Sequence, residues 1–482
     1  MRYQSILFFF RIRSVIIHTI YHKNINMLLI RPSVQTLLTL LLGLAGLTQS
    51  VIAWDPPAQV SVQEIQASKE KVMAMTTLPI TTKEDIFRIE VVGMEWDIGV
   101  MVYVPTDAAR IPVGKDGKKQ GIFLLHGGTG DWRSLDQAAR LASERFGYKV
   151  VSMTFPGRLY LDDASRDWPA DTVNPDGTYR TPMWLKGEKI TPDQYEVITD
   201  KGNDDTGAPT SYGTSFFLSA KEGTTFYKRM AAWPMAFEEG MKTAMARHFP
   251  VSDYSIFAHG HSTGGPFIHY ISQRVNNVKG IVGYGTAMFG YMNAAAGRAW
   301  EYPFHYLRLR TWRDTARYAD EGWAGKDISL PVKMDLVFEM WNEERKQANF
   351  KAEDFIHKNS VASLADAAQA TAKRLGMENE EAQTLAEHYV GFTKELKGAG
   401  VKPVPSVLHI NAKGDNTVTY ERFTEYGKQI YAAMTPPPKA NAVLFGAGIH
   451  DWGFKDTDIP HGVAPAVIAL WNEAIRNGYF DQ

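Results

Sequence analysis

Short apolar runs alternate with amphipathic segments along most of this chain. Runs such as residues 121–125 and 148–155 are four to eight residues long and end in turn residues, which is typical of buried strands. Segments such as residues 134–146 place apolar residues on one helical face. The alternation predicts an α/β fold with a mostly parallel sheet and helices on both faces. The predicted strands are residues 86–92, 97–104, 121–125, 148–155, 254–258, 278–287, 405–411 and 442–446; the predicted helices are residues 134–146, 225–248, 264–275, 419–434 and 463–477.

The first two strands have a different character from the others. Gly93 lies between them, so we expect an antiparallel hairpin at one edge of the sheet. Residues 60–75, ahead of this hairpin, are expected to form an exposed amphipathic or irregular lead-in. Pro234, inside the predicted helix 225–248, is expected to kink that helix.

Two segments interrupt the alternation. Residues 157–223 are rich in Asp, Gly, Pro and Thr and show little helical period. Residues 288–401 have mainly helical patterns and many aromatic residues in their first half, which predicts a helical cap over the sheet. The core of the fold would then comprise residues 54–287, with the insertion 157–223, and residues 402–482.

The first 53 residues have the pattern of an N-terminal extension followed by a signal peptide. Residues 37–47 form an almost unbroken apolar run, which Arg31 precedes and which leads to a small residue at Ala53. We expect translation to start at Met27, cleavage near Ala53, and a secreted or periplasmic protein. A retained membrane anchor is the alternative, although the run is short for a membrane span.

Composition excludes several classes of chemistry. The chain has 482 residues, a formal net charge of −1 and no cysteine, so thiolate chemistry, disulfides and a strongly basic nucleic-acid surface are absent. The histidines are scattered and no His-Glu-x-x-His pattern occurs. We therefore expect no metal, no cofactor, no nucleic acid and, after signal cleavage, no membrane partner.

The sequence Gly260-His261-Ser262-Thr263-Gly264 stands between a predicted strand and a predicted helix. A nucleophile at a sharp strand-to-helix turn needs strained backbone angles, and glycines two residues before and after it prevent clashes. The following helix directs its N-terminus at the site and favours developing negative charge. Ser262 is therefore the predicted nucleophile, and the alternative is an ordinary glycine-rich turn with a helix cap.

Two later strands supply the partners that a serine nucleophile needs. Asp415 follows the predicted strand 405–411, and His450 follows the predicted strand 442–446. Both loops lie at the carboxyl edge of the sheet, the same edge as Ser262. A serine hydroxyl needs an imidazole as base, and the imidazole needs a carboxylate to fix its tautomer. The predicted catalytic set is Ser262, Asp415 and His450.

The competing residues are weaker candidates. The loop after strand 278–287 holds no Asp or Glu, which strengthens Asp415. His259 and His261 are expected to pack beside the turn, and His461 lacks a position at a strand end. The remaining acidic candidates, Asp131, Asp162, Asp163, Asp167 and Asp451, are interpreted mainly as solvated or loop-fixing residues.

An oxyanion hole is predicted from the loop after the first parallel strand, His126-Gly127-Gly128-Thr129-Gly130. The backbone N–H of Gly128 and that of Thr263 are the expected donors. A phosphate-binding interpretation of this loop is weak, because neither Gly-x-Gly-x-x-Gly nor a Gly-Lys-Ser/Thr loop follows the strand.

With these motifs the chain resembles the α/β-hydrolase superfamily of the serine esterase and lipase type. The resemblance extends over about residues 86–479, with two insertions. It implies a sheet of about eight strands with the second antiparallel, and a cap inserted after the sixth strand. The insertion 157–223 is longer than is usual for this superfamily.

Three functional hypotheses follow from these observations. The first is a secreted carboxylic-ester hydrolase that acts on a small-molecule or polymeric ester through an acyl-enzyme. The second is a serine peptidase or amidase, in which Glu301, Glu339, Glu343 or Glu344 could bind a substrate amine. The third is a non-catalytic binding protein of the same fold.

Overall fold

The computed structural model describes most of the unit Trp54–Gln482. The described residues are 54–91, 94–127, 132–156, 184–185, 188–189, 191–200, 215–220, 224, 233–262, 264–286, 346–350, 402–415, 420–432, 434, 436–450 and 462–481.

One large sheet organises these residues. In chain order its strands are β1 (Gln59–Val60), β2 (Ile80–Val91), β3 (Met94–Pro105), β4 (Lys119–Leu125), β5 (Lys149–Met153), β6 (Trp184–Leu185), β7 (Glu188–Lys189), β10 (Tyr254–His261), β11 (Val278–Tyr284), β12 (Ser406–Ala412) and β13 (Ala440–Phe445). Strands β8 (Tyr195–Asp200) and β9 (Ser215–Ala220) form a separate hairpin.

The spatial order of the strands is β1-β13-β12-β11-β10-β4-β5-β3, and β3 also pairs with β2 and β6. Pairing is parallel from β1 to β5, whereas β3 runs antiparallel to both β5 and β2. The prediction of a mostly parallel eight-stranded sheet with an antiparallel leading hairpin is confirmed in the eight long strands. Three two-residue strands, β1, β6 and β7, were not predicted.

Helices cover both faces of this sheet. They are α1 (Val62–Ala74), α2 (Asp136–Phe146), α3 (Trp233–His248), α4 (Gly264–Ser272), α5 (Tyr420–Arg422), α6 (Lys428–Ala432) and α7 (Ala464–Arg476); a π-helical turn, Phe423–Gly427, joins α5 to α6. Alternation along β5 separates the two layers. Val150 belongs to the core beneath α1, α2 and α7, while Met153 lies against Gly240 of α3.

The lead-in before β2 is the helix α1, which is exposed along most of its length and buries only Ile65 and Val72. Of the two expected forms, amphipathic or irregular, the structure shows the amphipathic one. Ser61 caps α1 by accepting from the Glu64 N–H, and the Glu64 carboxylate accepts from the Ser61 N–H at 2.8 Å. Ile65 and Val72, two helical turns apart, are buried in the same core as α7. A capping box and a buried stripe of only two residues make a weak periodic signal, so the sequence did not separate a helix from an irregular segment.

Helix α3 covers the C-terminal part of the predicted helix 225–248. Residues 225–232 lie outside the described residues, so the expected kink at Pro234 stays a prediction. The predicted cap and most of the insertion 157–223 lie outside the described residues. Within the described part of the chain, no helix has the length and apolar character needed to cross a membrane.

Candidate active site

The chain turns sharply at Ser262, between the end of β10 and the start of α4. Ser262 has a φ of 48°, in the left-handed region that side chains disfavour, and no other described non-glycine residue has a positive φ. Its N–H donates to the Tyr284 carbonyl at 3.2 Å, and its own carbonyl accepts from the Gly265 N–H at 3.1 Å. Hydrogen bonds on both sides therefore hold the strained residue at the carboxyl edge of the sheet.

Glycines allow the backbone at this turn to pack against itself. A Cβ on Gly260 would lie 2.5 Å from the Cα of Gly265, and a Cβ on Gly264 would lie 2.6 Å from the carbonyl oxygen of Leu125. Real Cβ atoms essentially never approach backbone this closely. The Gly-x-Ser-x-Gly spacing is thus a steric requirement of the turn.

The loop after β4 reaches the same turn. A Cβ on Gly127 would lie 3.2 Å from the Ser262 Cβ and 3.0 Å from the His261 Nδ1. The buried His126 ring holds this loop, since its Nε2 accepts from the Phe155 N–H at 3.1 Å. Its Nδ1 must then carry the proton and donates to the Gly127 carbonyl at 2.5 Å.

Asp415 and His450 form a hydrogen-bonded pair. The His450 Nδ1 and the Asp415 Oδ2 are 2.9 Å apart, although the two residues come from loops after different strands, β12 and β13. The Asp415 side chain is fully buried and that of His450 is 22% exposed. In the neutral imidazole, donation of the Nδ1 proton to this carboxylate leaves the lone pair on Nε2. This Nε2 is buried and has no hydrogen-bond partner in the part of the chain that the structure describes.

Two side chains at strand ends hold the loop that carries His450. The His261 Nε2 bonds the His450 carbonyl at 2.9 Å, with the two imidazole centroids 5.0 Å apart. The Tyr284 hydroxyl donates to the Ile449 carbonyl at 2.9 Å. His261 therefore contacts both the His450 loop and the Gly127 loop, and it links Ser262 to the Asp415–His450 pair.

Three further histidines near the turn are buried, and burial lowers the pKa of each. The pKa falls to about 3 for His259 and to about 4 for His269, and it falls well below the usual range for His409. The Tyr431 hydroxyl bonds both the His269 Nε2, at 2.5 Å, and the His409 Nε2, at 2.9 Å. The His269 Nδ1 bonds the Gly265 carbonyl at 2.9 Å. His269, His409 and Tyr431 form a neutral buried network, typical of a structural role.

Several predicted site residues lie outside the described residues. They include both expected oxyanion donors, the predicted amine-binding glutamates of the cap, and the alternative acids and base: Gly128, Thr263, Asp131, Asp162, Asp163, Asp167, Glu301, Glu339, Glu343, Glu344, Asp451 and His461. Among the described residues, no cluster of three or more His, Asp or Glu side chains could hold a metal ion.

Sequence reasoning missed the tethers formed by His261 and Tyr284. Both residues are the last of their strands, β10 and β11, which were predicted from apolar patterns. Their partners, however, are backbone carbonyls of the His450 loop. A sequence pattern carries no signal for a contact between residues 189 positions apart.

No protein-family profile and no curated protein matches the chain. Solved structures do match at low identity. They include a membrane phospholipase A (12% identity over 92% of this chain and 98% of that one, TM-score 0.29). A thioesterase domain from the curacin biosynthetic pathway matches with 10% identity over 82% of this chain and 99% of that one, at a TM-score of 0.31. A peroxisomal alpha-beta-hydrolase of Saccharomyces cerevisiae matches with 12% identity over 84% of this chain and 91% of that one, at a TM-score of 0.36.

Similarities of this size carry no argument about activity, and the fold is assigned from the chain's own features. The eight long strands include an antiparallel second strand. The strand–turn–helix at Ser262 has the geometry of a nucleophile elbow. The loops after the last two strands bring Asp415 and His450 together. The chain therefore has the fold of the α/β-hydrolase superfamily.

Proposed function

We propose that this protein is a serine hydrolase that cleaves a carboxylic ester through an acyl-enzyme. Ser262 is the nucleophile, His450 the general base, and Asp415 the residue that orients His450. One observation carries the proposal: a strained serine shares the carboxyl edge of the sheet with an imidazole whose Nδ1 is held by a buried carboxylate 2.9 Å away. A binding protein would have no need to maintain both a strained serine and a buried carboxylate bonded to an imidazole.

The hydrogen bond to Asp415 decides which imidazole nitrogen can act. A serine hydroxyl is a poor nucleophile at neutral pH and must lose its proton as it attacks. With Nδ1–H donated to Asp415, the free lone pair lies on Nε2, and this atom accepts the Ser262 proton. The buried carboxylate then stabilises the imidazolium that forms.

Attack on the ester carbonyl places negative charge on its oxygen. We assign the stabilising donors to the backbone N–H groups of Gly128 and Thr263. One contact and the position of one helix support this assignment. Gly127 lies against Ser262, and α4 starts two residues after Ser262, so that its N-terminus favours negative charge.

Collapse of the tetrahedral intermediate completes acylation. His450 returns the proton to the leaving alcohol as the carbon–oxygen ester bond breaks, which leaves the acyl group on the Ser262 oxygen. Water then attacks the acyl-enzyme with His450 again as base, and the acid is released as Ser262 regains its proton. The aromatic residues of the segment 288–401 suggest a bulky apolar or aromatic group in the substrate, either small-molecule or polymeric.

The test is ester hydrolysis by the chain from Trp54 onward, with a panel of p-nitrophenyl esters. Ser262→Ala should lower kcat by about 10⁶-fold, since triad members act as a unit. Ser255→Ala is the matched control. Ser255 is a buried serine at the start of β10, the strand that leads to Ser262, and its hydroxyl donates to the Asp116 Oδ2 at 2.5 Å, far from the turn.

The outcomes separate the hypotheses. Hydrolysis that survives Ser262→Ala would contradict the mechanism, and activity on aminoacyl amides above that on matched esters would favour a peptidase or amidase. A wild-type chain that neither hydrolyses esters nor reacts with a fluorophosphonate would favour the binding protein.

We also propose that residues 1–53 include an export signal, with translation starting at Met27. The support is the apolar run 37–47 after Arg31. N-terminal sequencing of the exported chain should begin at Trp54. A cytosolic chain that retains its N-terminus, or a membrane-retained one, would overturn this proposal.

A further inference from the structure

The dipeptide Gly285–Thr286, directly after β11, contacts both halves of the candidate site. Gly285 has a φ of 52°, and a Cβ on it would lie 2.7 Å from the Asp415 Oδ2 and 3.0 Å from the His450 Nδ1. The backbone of Gly285 thus packs directly against the acid–base pair. The side chain of an acidic residue in place of Gly285 would therefore have no room beside Asp415.

Thr286 makes the contact with the other half. Its buried hydroxyl donates to the Ser262 carbonyl, which also accepts from the Gly265 N–H at 3.1 Å. A Cβ on Gly265 would lie 2.7 Å from the Thr286 Cβ, so glycine at this position lets the threonine approach. The Ser262 carbonyl is therefore held by two donors from different elements.

Fixing a carbonyl also fixes the N–H of the same peptide group. A peptide unit is planar, and in its trans form the N–H points opposite to the C=O. In the proposed mechanism, the N–H that follows the Ser262 carbonyl in the chain belongs to Thr263, an oxyanion donor. Two hydrogen bonds to the carbonyl hold the plane in which that donor lies.

The carbonyl ahead of the other proposed donor, the Gly128 N–H, is also held by a hydrogen bond. The N–H that follows the Gly127 carbonyl belongs to Gly128, and the Gly127 carbonyl accepts from the His126 Nδ1 at 2.5 Å. In both cases a buried side chain binds the carbonyl one residue ahead of the donor. The repetition of this arrangement at two separate loops argues for a positioning role rather than incidental packing.

We propose that Thr286 is a positioning residue that orients the oxyanion-stabilising amide after Ser262. Its hydroxyl acts through the Ser262 carbonyl and does not touch the substrate. This inference rests on the proposed function. It adds a positioning residue that lies outside the Gly-x-Ser-x-Gly motif. It requires only the hydroxyl, so serine should replace threonine and valine should not.

The experiment compares Thr286→Val with Thr286→Ser in p-nitrophenyl ester hydrolysis. Thr286→Val should lower kcat about 10- to 100-fold with KM nearly unchanged, because a misoriented donor weakens transition-state stabilisation. Thr286→Ser should restore kcat to within about threefold of wild type. Affinity for phenylboronic acid, which forms a tetrahedral adduct with a nucleophilic serine, should fall with kcat in Thr286→Val.

Ser272→Ala is the matched control. The Ser272 hydroxyl is buried and donates to the His269 carbonyl at 2.6 Å, at the far end of α4. Its loss should lower thermal stability about as much as Thr286→Val while kcat stays near wild type. Equal kcat values for Thr286→Val and wild type would overturn the inference, as would equal losses in the Val and Ser variants. Failure of the proposed function is distinguishable, since it would appear as activity that Ser262→Ala does not remove.

Discussion

The two halves of the candidate site are held together by different means. The nucleophile half, so called for the role proposed for Ser262, is fixed mainly by close packing at Gly260, Gly264 and Gly265, where there is no space for a side chain. The base half, Asp415 and His450, is fixed by side-chain hydrogen bonds. His261 bonds the His450 carbonyl, and Tyr284 donates to the Ile449 carbonyl. One half is a short stretch of consecutive residues, and the other is assembled from distant strands.

This difference determines how each half should respond to substitution. A turn that depends on steric fit should fail when atoms are added. A pair that depends on hydrogen bonds should fail when donors or acceptors change while the shape stays the same. The following substitutions separate these two modes.

Among the substitutions that separate these two modes, the one in the base half is expected to have the largest effect. Asp415→Asn preserves the shape but no longer fixes the His450 tautomer that leaves Nε2 free to accept a proton, so kcat should fall by about 10⁴-fold. Stopped-flow measurement of ester hydrolysis, with circular dichroism to verify folding, checks this. A folded variant within tenfold of wild type would exclude Asp415 as the orienting acid.

A smaller loss of activity is expected from Gly260→Ala in the nucleophile half. The new Cβ would lie 2.5 Å from backbone at Gly265, which cannot move like a flexible side chain. Displacing the nucleophile by about 1 Å should lower kcat about 100-fold.

Gly240→Ala provides the control for this substitution. A Cβ there would meet only the side-chain ends of Met153 and Ile98, at 3.0 and 3.1 Å. Its kcat should remain near wild type. If the two alanine variants lose activity equally, steric fit at the turn is not what positions Ser262.

The smallest effect is expected on stability: the free energy of unfolding should depend on pH through His269, which lies beside the turn. Burial lowers the pKa of His269 to about 4 from 6.5, so the unfolded chain binds more protons between these values. The free energy of unfolding should therefore fall as the pH drops through this window. His269→Gln, which can still bond the Gly265 carbonyl, should lose about 2 kcal/mol less than wild type between pH 7 and pH 5.

Urea denaturation of both proteins at the two pH values measures this difference. Identical losses would mean that His269 is protonated in the folded protein, and that the buried network with Tyr431 and His409 does not stay neutral.

The sequence predicts features whose determinants are close together in the chain better than contacts between distant strands. The turn at Ser262 was predicted because its determinants lie within six consecutive residues and next to a clear apolar strand. The positions of Asp415 and His450 at strand ends followed from the alternation of strands and helices. Contacts that depend on side-chain geometry between distant strands, such as Tyr284 to Ile449 and Thr286 to Ser262, leave no trace in a periodic pattern.

Helix α1, which the sequence did not distinguish from an irregular segment, illustrates the same limit at the level of secondary structure. Its buried face has only Ile65 and Val72, and its stability depends on packing in a core shared with α7, nearly four hundred residues later in the chain. Local periodicity is weak where tertiary contacts supply most of the stabilisation.

The most direct test of the central claim is to treat the chain from Trp54 onward with a fluorophosphonate and map the modified peptide by mass spectrometry. A serine activated by His450 should become labelled at close to one group per chain, on Ser262, and Ser262→Ala should abolish the labelling. Label on another residue, or none in the folded wild-type protein, would contradict the assignment of Ser262 as the nucleophile.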